Sequence, residues 1–331
     1  MSERLSHLLT SYNFLLLKRR ILIGILLGGI GGCWVAMGVN AAIFDRNGRK
    51  IPDREVNSDR VNWQMLSAKA SQKYNGVGLI DVDYGVCTGF LITTGAKVNA
   101  PAYAVTNGHC QGSAGQLPSP KDIMVNRPSN TYFIVNYFHD FKPVRLKIAV
   151  KRLVYGTMKN NDIAILELAK TQQDLTQAGI VPLRIAAQPG TLGEPIVVVG
   201  IPSQGVKDRL NFLHSTTCKI GATVSIKEDI YNWNRSVRHQ CSIIGGMSGS
   251  PMISLKTHRV VGIINTGVND NAAKQPQCSL NRPCEIGTNG RIETFNQENY
   301  GQLVDRIPTC FNAQGIFNLN LPACKLERPK A

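Results

Sequence analysis

The sequence predicts an all-β protein built as two small antiparallel barrels in succession. Three observations predict it. Short apolar runs broken by turn residues fill residues 77–170, at 78–82, 89–93, 102–106, 131–137, 144–154 and 162–168. The same texture returns over residues 181–295, at 195–201, 210–217, 223–227, 239–243, 251–254, 260–264 and 287–292. No long 3.6-residue period interrupts either set, and dense short strands without helices read as barrels. A chain of 331 residues is long enough for one large or two small domains.

Ahead of the strands, residues 1–20 end in Lys18-Arg19-Arg20, and residues 21–42 then carry no charge over 22 positions. That length suffices for an apolar helix to span a bilayer, and the basic flank predicts export of the chain beyond residue 42. Three fates remain open. Val39-Asn40-Ala41 suits a signal peptidase, uncleaved residues 21–42 would be a single-pass anchor giving membrane association, and Ile30-Gly31-Gly32-Cys33 faintly resembles a lipoprotein box. Residues 43–74 are polar and read as a stem, with one helix-like piece near residues 61–73. Residues 170–179 read as a crossing between barrels with helical character, 297–307 as a C-terminal helix, and 308–331 as an additional loop without an assigned role.

The net charge is +15. A basic surface attracts anionic lipid, polysaccharide or nucleic acid. No Lys/Arg run exceeds three residues and no nucleic-acid motif is present, so no nucleic-acid partner is expected. Nine cysteines occur: Cys33 in the apolar run, and an even set of Cys87, Cys110, Cys218, Cys241, Cys278, Cys284, Cys310 and Cys324. Behind an export signal an even set predicts disulfides and an oxidising, extracytoplasmic location, periplasmic or secreted. No Cys-x-x-Cys is present, and neither a metal nor a cofactor is expected.

The chemistry is written at Gly245-Gly246-Met247-Ser248-Gly249-Ser250-Pro251. This glycine-rich stretch must be a sharp turn. Such a turn can present one side chain, Ser248, beside converging backbone N–H groups, those of Gly246 and Ser248, as a nucleophile with an oxyanion site requires. Upstream lie Thr106-Asn107-Gly108-His109-Cys110, after an apolar run, and Asn161-Asp162-Ile163-Ala164-Ile165-Leu166, with an acid at the start of a buried strand. His109 suits a general base, because imidazole titrates near neutrality, and Asp162 suits the group that fixes its tautomer.

The order His, Asp, Ser and the forms Thr-x-x-His-Cys, Asp-Ile-Ala-x-Leu and Gly-x-Ser-Gly-x-Pro resemble the chymotrypsin- and trypsin-like serine peptidases. The form Gly-x-Ser-Gly-Ser-Pro is similar to the bacterial glutamyl-endopeptidase and HtrA-type branches. The resemblance covers roughly residues 75–306. It implies two six-stranded barrels, 75–180 and 181–295, a site between them, a protein or peptide substrate, and serine endopeptidase activity through His109, Asp162 and Ser248. It also implies a Cys87–Cys110 disulfide. Short separations suggest Cys278–Cys284 and Cys310–Cys324, which leaves Cys218 with Cys241. The resemblance sets Ser242 on the floor of the substrate pocket and Asn265, Thr266 and Gly267 beside the substrate backbone.

Several positions depart from the family pattern. Met247 stands where digestive relatives carry the Asp that receives a newly cut N-terminus, so that activation route is not expected. Ser242 and Ile264 support neither a basic nor a glutamyl preference, which leaves an apolar or small residue before the scissile bond. Absence of a PDZ-like segment after the barrels argues against an HtrA-type oligomer. A non-catalytic binding module on the same fold is the alternative, with Met247 as its motive. An esterase of the α/β-hydrolase type would place its His last, contrary to the order here.

Overall fold

The computed structural model describes residues 63–329 except 83–84, 97–98, 113–115, 205, 207–209, 269–274 and 296–297. The apolar segment 21–42, with its leader or anchor reading, lies outside the described residues. Among the described residues no helix is long and apolar enough to cross a membrane.

The chain begins with a two-residue strand β1 (Gln64–Met65) and a 3-10 turn at Gln72–Tyr74. The first barrel comes next: β2 (Val77–Val82), β3 (Gly85–Ile92), β4 (Pro101–Thr106), β5 (Ile123–Pro128), β6 (Tyr132–Ile134), β7 (Lys147–Thr157) and β8 (Ile163–Thr171). Helix α1 (Gln172–Gln177) makes the crossing. Thr171 and Asp174 cap it reciprocally, each side chain taking the other's backbone N–H. The second set is β9 (Pro195–Gly200), β10 (His214–Glu228), β11 (Tyr231–His239), β12 (Pro251–Ser254), β13 (Val260–Gly267), β14 (Cys284–Ile286), β15 (Ile292–Glu293) and β16 (Asn299–Leu303).

Pairings in the first sheet run β7-β6-β2-β3-β4-β8 and return to β7, closing a six-stranded barrel with β5 attached to β7. In the second sheet they run β11-β16-β13-β12-β9-β10, and β10 pairs again with β11. Strands β14 and β15 extend from β10, and β1 pairs with its start.

The apolar runs look continuous because both faces of many strands are buried. In β9, Ile196 and Val198 face the interior of the second sheet, while Val197 and Val199 face the core between the sheets. In β8, Ala164 and Leu166 fill the first barrel and Ile163 and Ile165 join that shared core. Period-two alternation thus feeds two cores from one strand.

Three expectations are corrected. The helix expected over 297–307 is not formed in its described part, 298–307. These residues supply β16 (Asn299–Leu303), which pairs with both β11 and β13, and lead into a 3-10 turn at Ile307–Cys310. Tyr300, Gly301 and Gln302 are buried on both faces of this strand, and only a residue without a side chain fits at Gly301 against Met252 and the Ile263 carbonyl. The second sheet therefore runs past residue 295. The piece near 61–73 is helical only in part: residues 64–66 pair with 213–215 as strand, and turns from Ser67 onward lead into the 3-10 turn at Gln72–Tyr74. Residues 240–243 are not strand: the carbonyls of Cys241 and Ser242 are taken by the side chains of Asn299 and Trp63 rather than by a ladder.

Residues 308–329 fold back onto the first barrel. Phe311 packs edge-on to Tyr103 at 5.0 Å between ring centres, Phe317 lies 6.2 Å from Tyr155, and the Phe317 N–H donates to the Tyr103 hydroxyl. The Cys310–Cys324 disulfide closes this segment, and Cys310 is fully buried in the shared core. Replacing Phe317 by Ala is expected to lower stability by about 2 kcal/mol. Denaturant unfolding with disulfides intact would read this as a lower midpoint at unchanged slope.

Candidate active site

His109 opens a 3-10 turn directly after β4, and Asp162 stands one residue before β8. Strands β4 and β8 pair, Thr106 opposite Ala164, which brings the two residues together. The His109 ring nitrogen Nδ1 lies 2.6 Å from Asp162 Oδ2, and the His109 backbone N–H donates to Oδ1 at 2.8 Å. The Asp162 carbonyl accepts from Asn107 Nδ2. Gly108 is required here, because a side chain at this point would overlap the Thr157 carbonyl. With the carboxylate accepting from Nδ1, a neutral ring leaves Nε2 as an acceptor. Nε2 is buried and has no hydrogen-bond partner among the described residues.

Ser248 belongs to the second sheet and is held against strands β3 and β4 of the first, with no hydrogen bond from its side chain to His109. Its carbonyl accepts from Thr88 N–H at 2.9 Å, and Thr88 adjoins Cys87, which is bonded to Cys110. Next to it, Gly249 lies against the Thr88 carbonyl and Thr106, so closely that no side chain fits, and its φ is +82°.

The turn before Ser248 is defined bond by bond. Met247 N–H donates to the Ile244 carbonyl at 3.1 Å, and Gly246 has φ +96°. This is the arrangement of a type II turn, which needs glycine at its third residue. The Gly245 carbonyl accepts from the N–H groups of Ser203 and Gln204 at 2.9 and 3.1 Å. Because a trans peptide holds its C=O and N–H on opposite sides, the Gly246 N–H points away from that loop. Neither it nor the Ser248 N–H donates to a partner among the described residues. Thr88 Oγ1 donates to the Gly246 carbonyl at 2.9 Å and accepts from Ile201 N–H at 3.0 Å.

Met247 is 1% exposed and packs among Ile196, Val198, Ile220, Val237 and Met252. The departure seen in the sequence is thus an apolar anchor. Ser242 is half-buried and its carbonyl accepts from the Trp63 indole N–H at 2.8 Å. Asn265 sits at a bulge, since Ile264 pairs with Gly301 and Thr266 with Tyr300. Its side chain is buried with Nδ2 unpartnered among the described residues, and no hydrogen bond joins it to Asp162. Thr266 and Gly267 end β13, half-buried. The Asn299 side chain lies directly against Gly267 and donates to the Cys241 carbonyl. The Cys87–Cys110, Cys218–Cys241, Cys278–Cys284 and Cys310–Cys324 bonds are all present.

Sequence reasoning missed Glu228, at the end of β10. It is buried, with Oε1 accepting from Asn281 N–H at 2.6 Å. Burial pushes its carboxyl up to about 7, against the lowering effects of Asn281 N–H, Thr266 and His109, and Asp162 adds a further raising effect. His239 is likewise buried, which pushes it down to about 3. A cavity lined by Lys159, Arg235, Arg306, Lys325 and Glu327 contains neither His109 nor Ser248.

A family model described as trypsin-like peptidase domain matches residues 87–263, and the chain belongs to that family. No curated protein matches. Among solved structures the chain is similar to the active form of the Rv3671c protease from M. tuberculosis, at 15% identity and TM-score 0.44, over 93% of this chain and 97% of that one. It is also similar to the MamO protease domain from Magnetospirillum magneticum in its apo form, at 13% identity and TM-score 0.43, over 72% and 96%. Likenesses at these identities and scores add nothing to the family assignment.

Two outcomes are expected. Thr88→Val keeps the shape but leaves the Gly246 carbonyl and Ile201 N–H unpaired, and should cost about 2–4 kcal/mol in a denaturant melt. Glu228 holds its proton in the folded chain between about pH 4.5 and 7, where the unfolded chain releases it, so its contribution lowers stability as pH rises through that window. Glu228→Gln should therefore gain about 3 kcal/mol over the native chain near pH 8 and almost nothing near pH 4.

Proposed function

We propose that the protein is an exported serine endopeptidase in which Ser248, His109 and Asp162 form the catalytic triad. The observation that carries this reading is the His109–Asp162 contact of 2.6 Å, with Nε2 without a partner among the described residues. The two unpaired N–H groups of the turn at Ser248 support it. Ser248 Oγ attacks the carbonyl carbon of a peptide bond and passes its proton to His109 Nε2. The N–H groups of Gly246 and Ser248 receive the oxyanion. His109 then gives the proton to the leaving amine as the C–N bond breaks, leaving an acyl ester on Ser248. Water repeats the sequence, with its proton taken by His109, and releases the acid. Asp162 keeps Nδ1 protonated and balances the imidazolium.

Beyond Ile264, whose N–H and carbonyl bond to Ser250 and Gly249, strand β13 keeps β16 on one side only among the described residues. Residues 265–267 thus offer an open edge to an extended peptide. Ser242, Asn265, Thr266 and Gly267 line the proposed subsite. The nearness of Asn299 to Gly267 favours a small residue before the scissile bond. The Gly-x-Ser-Gly-Ser-Pro form keeps the bacterial glutamyl-endopeptidase and HtrA-type branch as the nearest reading of the family resemblance. Four disulfides fit an oxidising extracytoplasmic compartment. Export, and membrane association if the segment is retained, rest on residues 21–42. The burial of Met247 removes the motive for a purely non-catalytic reading.

A fluorophosphonate probe should add once to the native chain, at Ser248, and not to Ser248→Ala, as read by peptide mass mapping. Asp162→Asn should lower kcat by about four orders of magnitude through the wrong His109 tautomer. A folded, disulfide-intact native chain that takes up no probe would overturn the reading.

A further inference from the structure

The irregular segment 241–248 is fastened through its carbonyls, and the fasteners come from distant places. Cys241 O accepts from Asn299, Gly245 O from the 203–204 loop, and Gly246 O and Ser248 O from Thr88. One fastener comes from ahead of both barrels. The indole N–H of Trp63 donates to Ser242 O at 2.8 Å, across 179 residues of sequence.

Trp63 is itself held in place. Gln64 and Met65 pair with Ser215 and His214 as β1, Leu66 N–H donates to the Leu213 carbonyl, and Leu66 is buried. The Trp63 ring lies 5.7 Å from the His214 ring, and it packs on the same apolar cluster as Met247, Cys241, Ile243 and Ile244. Met247 offers no charge to an ion pair, and its burial supplies the apolar half of an anchor whose hydrogen bond comes from Trp63.

We propose that Trp63 is a positioning residue for the turn at Ser248: the uncut segment ahead of the barrels locks residues 242–247 in the conformation that turns the Gly246 N–H toward the substrate. The inference rests on the peptidase reading. It makes the order of the turn a property of the intact chain, with no cut needed to create it. A chain severed from residues 63–66 would keep its His109–Asp162 pair and lose the fixed turn.

The test uses the full chain, native and with Trp63→Phe or Trp63→Ala. Trp63→Phe keeps an aromatic ring on the cluster and removes the N–H together with part of the ring's volume. Met65→Ala, at an exposed position of the adjoining strand β1, is the control. Two rates are read: fluorophosphonate labelling of Ser248, and peptide hydrolysis resolved into kcat and KM. Trp63→Phe should lower labelling and kcat roughly fivefold to tenfold, the scale of one hydrogen bond. KM should stay within about twofold, because uniform binding is not touched. Trp63→Ala should lose more, and Met65→Ala should match the native chain. If Trp63→Ala does not fold, Trp63→Phe decides alone. Native labelling with an unchanged Trp63→Phe, or a loss confined to KM, would overturn the role of Trp63 and leave the peptidase reading standing. A native chain that does not label would overturn both.

Discussion

Thr88 is the residue through which the two sheets are made to agree. It is fully buried in β3, and every polar atom it owns is committed. Its N–H goes to Ser248, its carbonyl accepts from Thr106, and its hydroxyl both donates to Gly246 and accepts from Ile201. The four bonds tie the strand before Cys110 to the turn carrying Ser248. A buried hydroxyl used in both directions has one orientation that satisfies it, and any other leaves an unpaired group at a cost of roughly 1–3 kcal/mol. Hydrogen-bond geometry at Thr88 thus fixes the turn carrying Ser248 against strands β3 and β4, in addition to the apolar packing of the shared core. The Cys87–Cys110 bond extends the same constraint to the residue after His109.

The turn at residues 244–247 answers a related problem. Its N–H groups must stay unpaired on one side, so its carbonyls must be held on the other. The structure does this with neutral donors, the backbone N–H groups at 203 and 204 and the Thr88 hydroxyl, and the Trp63 indole holds the carbonyl of Ser242 just ahead of the turn. Met247 then contributes burial instead of charge. A buried ion pair must overcome the desolvation of both ions, whereas a buried thioether gains from leaving water. An apolar anchor here is compatible with a stable turn, and it removes any need for a free ammonium beside it.

Much of the fold was legible in the sequence because strand texture is local. The six runs of the first barrel and the helical crossing near residues 170–179 come from the local spacing of apolar and turn residues. The misreadings share a cause. Residues 297–307 contain spacings a helix could use, yet Tyr300 to Leu303 bury both faces as the strand that joins β11 to β13. Closing a ring is a demand of the other five strands, and nothing within eleven residues announces it. The short strands β14 and β15 and the irregular stretch at 240–243 were opaque for the same reason, since their hydrogen-bond partners are remote.

The site divides along the same line. His109, Asp162, Ser248 and Gly246 stand in motifs whose residue types are dictated by their own neighbours: glycine where φ is positive, an apolar strand behind the acid. Those requirements are visible in a few contiguous letters. The residues that hold the motifs in register carry no such mark. Thr88 meets Gly246 across 158 residues and Ile201 across 113, and Trp63 meets Ser242 across 179. Each acts on a backbone atom, so the partner's identity says nothing about the contact. Residues 63–66 read as stem because polar neighbours suggest solvent, but composition reports side chains, and the backbone of this segment is spent on β10 and the indole on Ser242. A polar stretch beside a barrel becomes part of the barrel wherever an edge strand still has N–H and C=O groups to pair, and the start of β10 had them.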